Sequence, residues 1–139
     1  MNIKKTCYMC SLPATSLEHA PPKCLFPTAR DTENGINLRK NLITVPSCDE
    51  HNSAKSKDDE YLLYSLSLSI TSNNTGLNLF LTKVQRAAQR KPALAIELFS
   101  TSVPVSLQNT QTKEIAEAHA ITVNGARIDK VLAQCARAL

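Results

Sequence analysis

Tryptophan is absent from this 139-residue chain, and three phenylalanines and three tyrosines are its only aromatic residues. Any core must therefore be built mainly from aliphatic side chains. No apolar run approaches the length needed to span a bilayer as a helix. Met1 to Lys5 carries two lysines with no apolar stretch behind them, which excludes a standard secretion signal. Internal repeats and low-complexity tracts are missing too. Net charge is only +4, which permits an anionic partner without demanding one. These features together predict a soluble, intracellular, cytoplasmic protein.

Cysteine is the residue with something to say. Five cysteines, an odd number in a chain of cytosolic character, point away from a disulfide framework and towards metal binding. Cys7 and Cys10 are separated by two residues, and Cys48 and His51 repeat that gap. Three thiolates and one imidazole suit a tetrahedral zinc with no open position, hence a structural ion. Cys24 and Cys135 stand alone and read as small buried hydrophobes.

The chain divides by character near residue 60. Residues 1–60 hold four of the five cysteines and two of the three histidines, with eight basic and eight acidic side chains. Residues 61–139 hold eight basic and four acidic side chains and read as a mainly helical extension. In the first part, residues 15–19 predict a short strand stopped by Pro21 and Pro22, and residues 41–46 a second one. Ser47 with Glu50 three residues later predicts a capping box opening a helix to about Ile70. Tyr64, Leu66, Leu68 and Ile70 alternate with serines in a strand-like pattern, but Leu62, Leu66 and Ile70 share one helical face. Further helices are expected over residues 76–90, 92–100 and 112–119. Within the first of these, Leu77, Phe80, Leu81, Val84 and Ala88 form the core stripe, and Lys83, Arg86 and Arg90, with Lys91, form a basic face fit for a phosphate backbone. His119 has no partner in the sequence and is read as structural. Ile128, Val131, Leu132, Cys135 and Leu139 make a last helical stripe. Without a capping glycine, that helix is expected to dock on a neighbour, to serve a protein partner, or to continue into a longer parent chain.

One stretch is not explained by folding needs. Glu18 and His19 form an acid–histidine pair too polar for a small core, followed by two prolines, inside the loop that zinc would close. Asn52 and Lys55 follow directly on the second ligand pair. Taken in order, C7-x2-C10, E18-H19, N41-L-I-T-V45 and C48-x2-H51-N52-x2-K55 resemble the HNH endonucleases over about residues 5–60. The resemblance implies an α+β protein with a zinc-stapled ββα-metal core followed by the helical extension. It implies cleavage of phosphodiester bonds in DNA. His19 would be the general base, Glu18 and Asn52 would hold one Mg²⁺ or similar divalent ion, Asn41 would brace the loop that orients His19, and Lys55 would contact phosphate. Many members carry Asp where Glu18 stands, so the acid here reaches one methylene further. The rival expectation is a catalytically silent zinc module that binds nucleic acid or protein.

Overall fold

Short strands need external support, and the first two here obtain it from each other. In a computed structural model that describes residues 5–139, β1 (Ser16–His19) pairs antiparallel with β2 (Thr44–Ser47), with Ser16 opposite Ser47 and His19 opposite Thr44. The pairing extends one bond past each end: Thr15 N–H donates to Ser47 O at 2.9 Å and Ala20 N–H to Ile43 O at 3.1 Å. The second strand begins later than residue 41 because Asn41 adopts a left-handed backbone, φ 58°, which a strand does not accommodate.

The chain then departs from the expected helix start. Ser47 ends β2 instead of capping a helix, and its hydroxyl donates to Cys48 O at 3.2 Å. Residues 48–52 turn, a 3₁₀ turn spans Ser53–Lys55, and α1 covers Ser56–Ser67. The reason is geometric: Ser47 O is committed to the strand ladder, and Cys48 and His51 must face Cys7 and Cys10. Helix α1 buries four consecutive residues, Tyr61 to Tyr64, so it is surrounded rather than laid on a surface. The predicted face fails beyond Leu62, since Leu66 is 51% and Ile70 80% exposed. Ser65 and Ser67 donate back to the carbonyls of Tyr61 and Leu63 and belong to the helix, not to a strand.

Next come α2 (Asn74–Leu79), a π-helical stretch (Phe80–Val84), α3 (Gln85–Arg90) and α4 (Ala93–Phe99). Asn73 caps α2 by accepting from Gly76 N–H at 3.0 Å. The π stretch widens the turn and shifts the buried face. Val84 is buried as expected and Phe80 and Ala88 are half-buried, but Leu77 and Leu81 are exposed and Leu79 is buried in their place, so the stripe expected from regular α periodicity is kept only in part.

The helix expected over residues 112–119 is a strand. β3 (Val103–Gln108) and β4 (Ile115–Ala120) form an antiparallel hairpin, with Val103 opposite Ala120 and Gln108 opposite Ile115. Alanines at 116, 118 and 120 suggest helix by propensity, yet they alternate with Glu117 and His119 at the period of a strand. Cross-strand pairing decided the matter.

Two compact units result: residues 5–85 with Gly125–Leu139, and Arg86–Asn124. The division expected near residue 60 would cut through α1. In the first unit α1 packs against α2, the π stretch, the 3₁₀ turn Lys23–Leu25 and the last helix, α5 (Gly125–Ala138). Helix α5 buries Val131 and Gln134, while Leu132 and Leu139 of the expected stripe are exposed.

Charged side chains fasten α5 to α1. Arg127 Nε lies 2.8 Å from Asp58 Oδ1, Lys130 Nζ lies 3.4 Å from Asp58 Oδ2, and the Arg127 guanidinium stacks 4.1 Å from the centroid of the Tyr61 ring. Burial alone would raise the Asp58 carboxyl, but hydrogen bonds from Arg127 and then Lys130 hold it below its ordinary value. A carboxylate lowered in the folded state adds stability above its unfolded pKa, and that contribution fades as pH falls through the folded value. Asp58→Asn should therefore reduce stability at pH 7 by about 1 kcal/mol. Urea unfolding of parent and variant should show this gap constant from pH 7 to about 5 and closing in stronger acid. A gap that persists unchanged at the acid end would contradict the assignment.

Candidate metal centre and the groups around His19

The N-terminal ligands sit on a knuckle built by backbone bonds. Cys7 N–H donates to Leu12 O at 2.9 Å, Ala14 N–H to Lys5 O at 2.8 Å, and Tyr8 N–H reaches across to Pro46 O at 2.9 Å. Met9 N–H points at Cys7 Sγ, 3.4 Å away. This brings Cys7 and Cys10 against the end of β2, where Cys48 follows directly. His51 occupies the turn after it, not the first turn of a helix.

The four donor atoms lie within 4.8 Å of one another. Cys10 Sγ is 3.8 Å from Cys48 Sγ, and His51 Nδ1 is 3.6 Å from Cys7 Sγ, 3.6 Å from Cys10 Sγ and 3.1 Å from Cys48 Sγ. A tetrahedron with Zn–S bonds near 2.3 Å has S–S edges of about 3.8 Å, so the spacing and donor set fit zinc. Burial disfavours a thiolate at Cys7, but the N–H groups of Cys48, Met9 and Cys10 outweigh it and bring the thiol down to about 6. The other two cysteines are of a different kind. Burial pushes Cys24 up to about 11 and raises Cys135, leaving both as thiols.

Beneath β1 lies a buried charge cluster. Glu18 Oε1 is 2.7 Å from Lys55 Nζ, and the same ammonium contacts Asp59 Oδ1 at 2.7 Å and Oδ2 at 3.0 Å. Glu18 and Lys55 are both almost fully buried. Burial raises both acids against the opposing pull of Lys55, while their hydrogen bonds outweigh burial at Lys55 and keep it charged. Two carboxylates thus share one cation. Lys55 is an internal cross-link between β1 and α1 in this arrangement, not a side chain extended to solvent.

His19 ends β1. Strand alternation puts it on the face of Leu17, opposite Glu18. Burial, then Lys23, then Arg39 lower its pKa, which favours the neutral ring with a lone pair available at pH 7. Asn52 is tied to the same strand: its Nδ2 donates to Ser16 Oγ at 2.7 Å and Leu17 O at 3.2 Å. Asn41 is exposed at the left-handed turn three residues before Thr44, the partner of His19.

The predicted basic face is divided. Lys83 Nζ donates to Cys24 O at 2.5 Å, and burial lowers its pKa. Arg86 and Arg90 belong to the second unit, where Arg90 Nε donates to Arg86 O at 3.3 Å. Sequence reasoning missed Asp59, although its i,i+4 spacing from Lys55 was a usable signal. It also missed Arg39, anchored through Nε to Phe26 O at 2.9 Å, for which no local pattern exists.

Comparison with protein-family models, with curated proteins and with solved structures returns no match.

Two outcomes follow. Purified protein should carry one zinc per chain by metal analysis, and Cys48→Ser should lose it together with the ordered knuckle, since structural zinc supplies on the order of 10 kcal/mol in small modules. Folded protein without zinc would refute this. Lys55→Met should lower stability by about 3 kcal/mol, because it strands the buried Glu18 carboxylate and the half-buried Asp59 beside it; a change below about 0.5 kcal/mol, as at an ordinary surface position, would refute the cross-link.

Proposed function

We propose that β1, β2, the Cys/His cluster and α1 form the ββα-metal core of an HNH-type endonuclease that hydrolyses phosphodiester bonds in DNA. The observation that carries this reading is the placement of His19. It lies at the end of a strand whose partner runs into the metal ligands, and Asn52, one residue past His51, is hydrogen-bonded back onto that strand. A zinc at the cluster would hold both connections fixed and leave the imidazole outside the ligand set.

His19 would take a proton from water as the water oxygen attacks phosphorus. The bond from phosphorus to the 3′ oxygen breaks, and that oxygen leaves with the electron pair and acquires a proton from solvent. Lys23 and Arg39, whose charges act on His19, would favour an approaching phosphate. A divalent ion such as Mg²⁺ would supply charge neutralisation at the phosphate. Of the two ligands that the family resemblance implies, Asn52 fits through Oδ1, because Nδ2 is the end bound to β1. Glu18 does not fit: its carboxylate is held by Lys55. Its role in this reading is to anchor β1 to α1, and no step is routed through it.

A plasmid-nicking assay with Mg²⁺, with Mn²⁺ and with chelator tests the reading. His19→Ala should lower the rate by about two to four orders of magnitude, the usual contribution of a general base. Its zinc content and DNA affinity should match the parent. If parent protein binds DNA without nicking it, or if His19→Ala nicks at the parental rate, the silent zinc module replaces the enzyme.

A further inference from the structure

The loop of residues 20–43 is zipped along its length. Ala20 N–H donates to Ile43 O at 3.1 Å at its mouth, and Leu38 N–H donates to Pro27 O at 3.2 Å further in. Between these, Arg39 Nε donates to Phe26 O at 2.9 Å. The arm that receives it is itself firm. Pro22 is buried, Leu25 and Phe26 N–H close back on the carbonyls of Pro22 and Lys23, and Lys83 Nζ donates to Cys24 O. The backbone of Arg39 is held as well, its N–H donating to Asn37 Oδ1 at 3.0 Å. Asn41, in its left-handed turn, then leads the chain back to Thr44, opposite His19.

Three cations border this loop, and they are used differently. Lys83 is half-buried and engaged by Cys24 O, an internal prop. Lys23 is exposed, and its ammonium has no partner among the described residues. Arg39 is half-buried and bonded through Nε alone, so its two terminal nitrogens have no partner among the described residues. A guanidinium held at Nε keeps its plane and presents the terminal pair end-on, with four N–H donors in a fixed fork. Such a fork matches two oxygens of one oxyanion. A partly desolvated cation without a counter-ion is costly to keep, which points to an anion supplied from outside. After burial, Lys23 and Arg39 are the groups that lower the His19 ring, which sets both cations around the imidazole.

We propose that Arg39 is the positioning residue for the phosphate beside His19: its terminal nitrogens clasp the two non-bridging oxygens of one backbone phosphodiester, and Lys23 adds an undirected positive charge. Charge alone attracts any anion. The fork adds orientation, because it fixes how the P–O bonds turn relative to the imidazole. The Glu18 carboxylate is held by Lys55 on the reverse face of the strand, so the orientation that a second metal ligand would confer falls to Arg39. The naming of the anion as DNA backbone rests on the nuclease reading; the fork itself does not.

Nuclear magnetic resonance of the zinc-loaded full chain tests this without any substitution. A short DNA duplex, with no divalent ion added, should shift the Arg39 Nε–H signal and slow rotation of the terminal N–H groups. Half-saturation should fall at about 1–100 µM duplex at physiological salt. Inorganic phosphate, the small probe, should produce the shift only above about 1 mM, the strength of one pair of charge-assisted hydrogen bonds. Fluorescence anisotropy of a labelled duplex then compares variants. Arg39→Met should weaken binding about tenfold or more. Arg39→Lys should stay within about threefold of Arg39→Met, because an ammonium has no fork. Lys23→Met should lower the slope of log affinity against log salt by about 0.9, and Lys23→Arg should restore it. Zinc content and protection of the Leu38 amide from hydrogen exchange show whether knuckle and loop are intact; where a variant loses that protection, the Arg39 signal of the parent decides.

An Arg39 signal that ignores DNA, an Arg39→Lys chain that binds like the parent, or phosphate bound as tightly as the duplex would each overturn the proposal. An unchanged salt slope in Lys23→Met would remove Lys23 from the clasp. A parent that binds DNA through Arg39 without nicking plasmid leaves the fork standing and removes only the nuclease reading. A parent that nicks while its Arg39 signal stays unmoved by DNA does the reverse.

Discussion

Cys10 and Cys48 are 38 residues apart in sequence and 3.8 Å apart at their sulfurs, and the architecture of residues 5–60 is organised around that closure. Two strands of four residues offer too few ladder bonds to hold a register unaided. The cluster fixes one end of the hairpin, where Tyr8 and Thr15 bond to the carbonyls of Pro46 and Ser47. With that end fixed, the loop of residues 20–43 can be long and irregular and still return Ile43 to Ala20. The delayed start of α1 has the same origin. Residues that a free peptide would use to begin a helix are used here to turn Cys48 and His51 towards the knuckle.

A second constraint acts on the other side of the same strand. The Glu18–Lys55–Asp59 cluster ties the middle of β1 to the first turn of α1, while the metal ligands tie its flank to the knuckle. Buried ion clusters seldom add much net stability over an apolar alternative, but removing one member is costly. We interpret this cluster as a registration device. Glu18 and His19 stand on opposite faces of one strand, so the inward acid fixes which way the histidine points. A one-residue slip in β1 would bury the imidazole and expose the carboxylate.

The second unit obeys a different economy. It has one fully buried side chain among its described residues, a hairpin with an apolar face and no metal to staple it. The alternation that produces this face is ordinary strand chemistry.

The sequence by itself determined the parts that rest on local rules. Paired Cys/His spacings picked out the four residues that cluster as candidate metal ligands, prolines and β-branched residues located β1 and β2 to within a few residues, and apolar periodicity placed a helix near the C-terminus. It also singled out His19 and Asn52, although nothing local showed that Asn52 would bond to β1. Tertiary structure decided what depends on distant partners. Lys55 looked like a surface cation until Glu18 and Asp59 enclosed it, and Lys83 until it met the Cys24 carbonyl. The capping box at Ser47 lost to a strand ladder and a metal cluster, and the alanines of β4 lost their helical preference to cross-strand pairing. In each case a local preference of about 1 kcal/mol or less met a non-local requirement worth several times more. Spacing along the chain records the first kind of energy, and only the folded arrangement reveals the second.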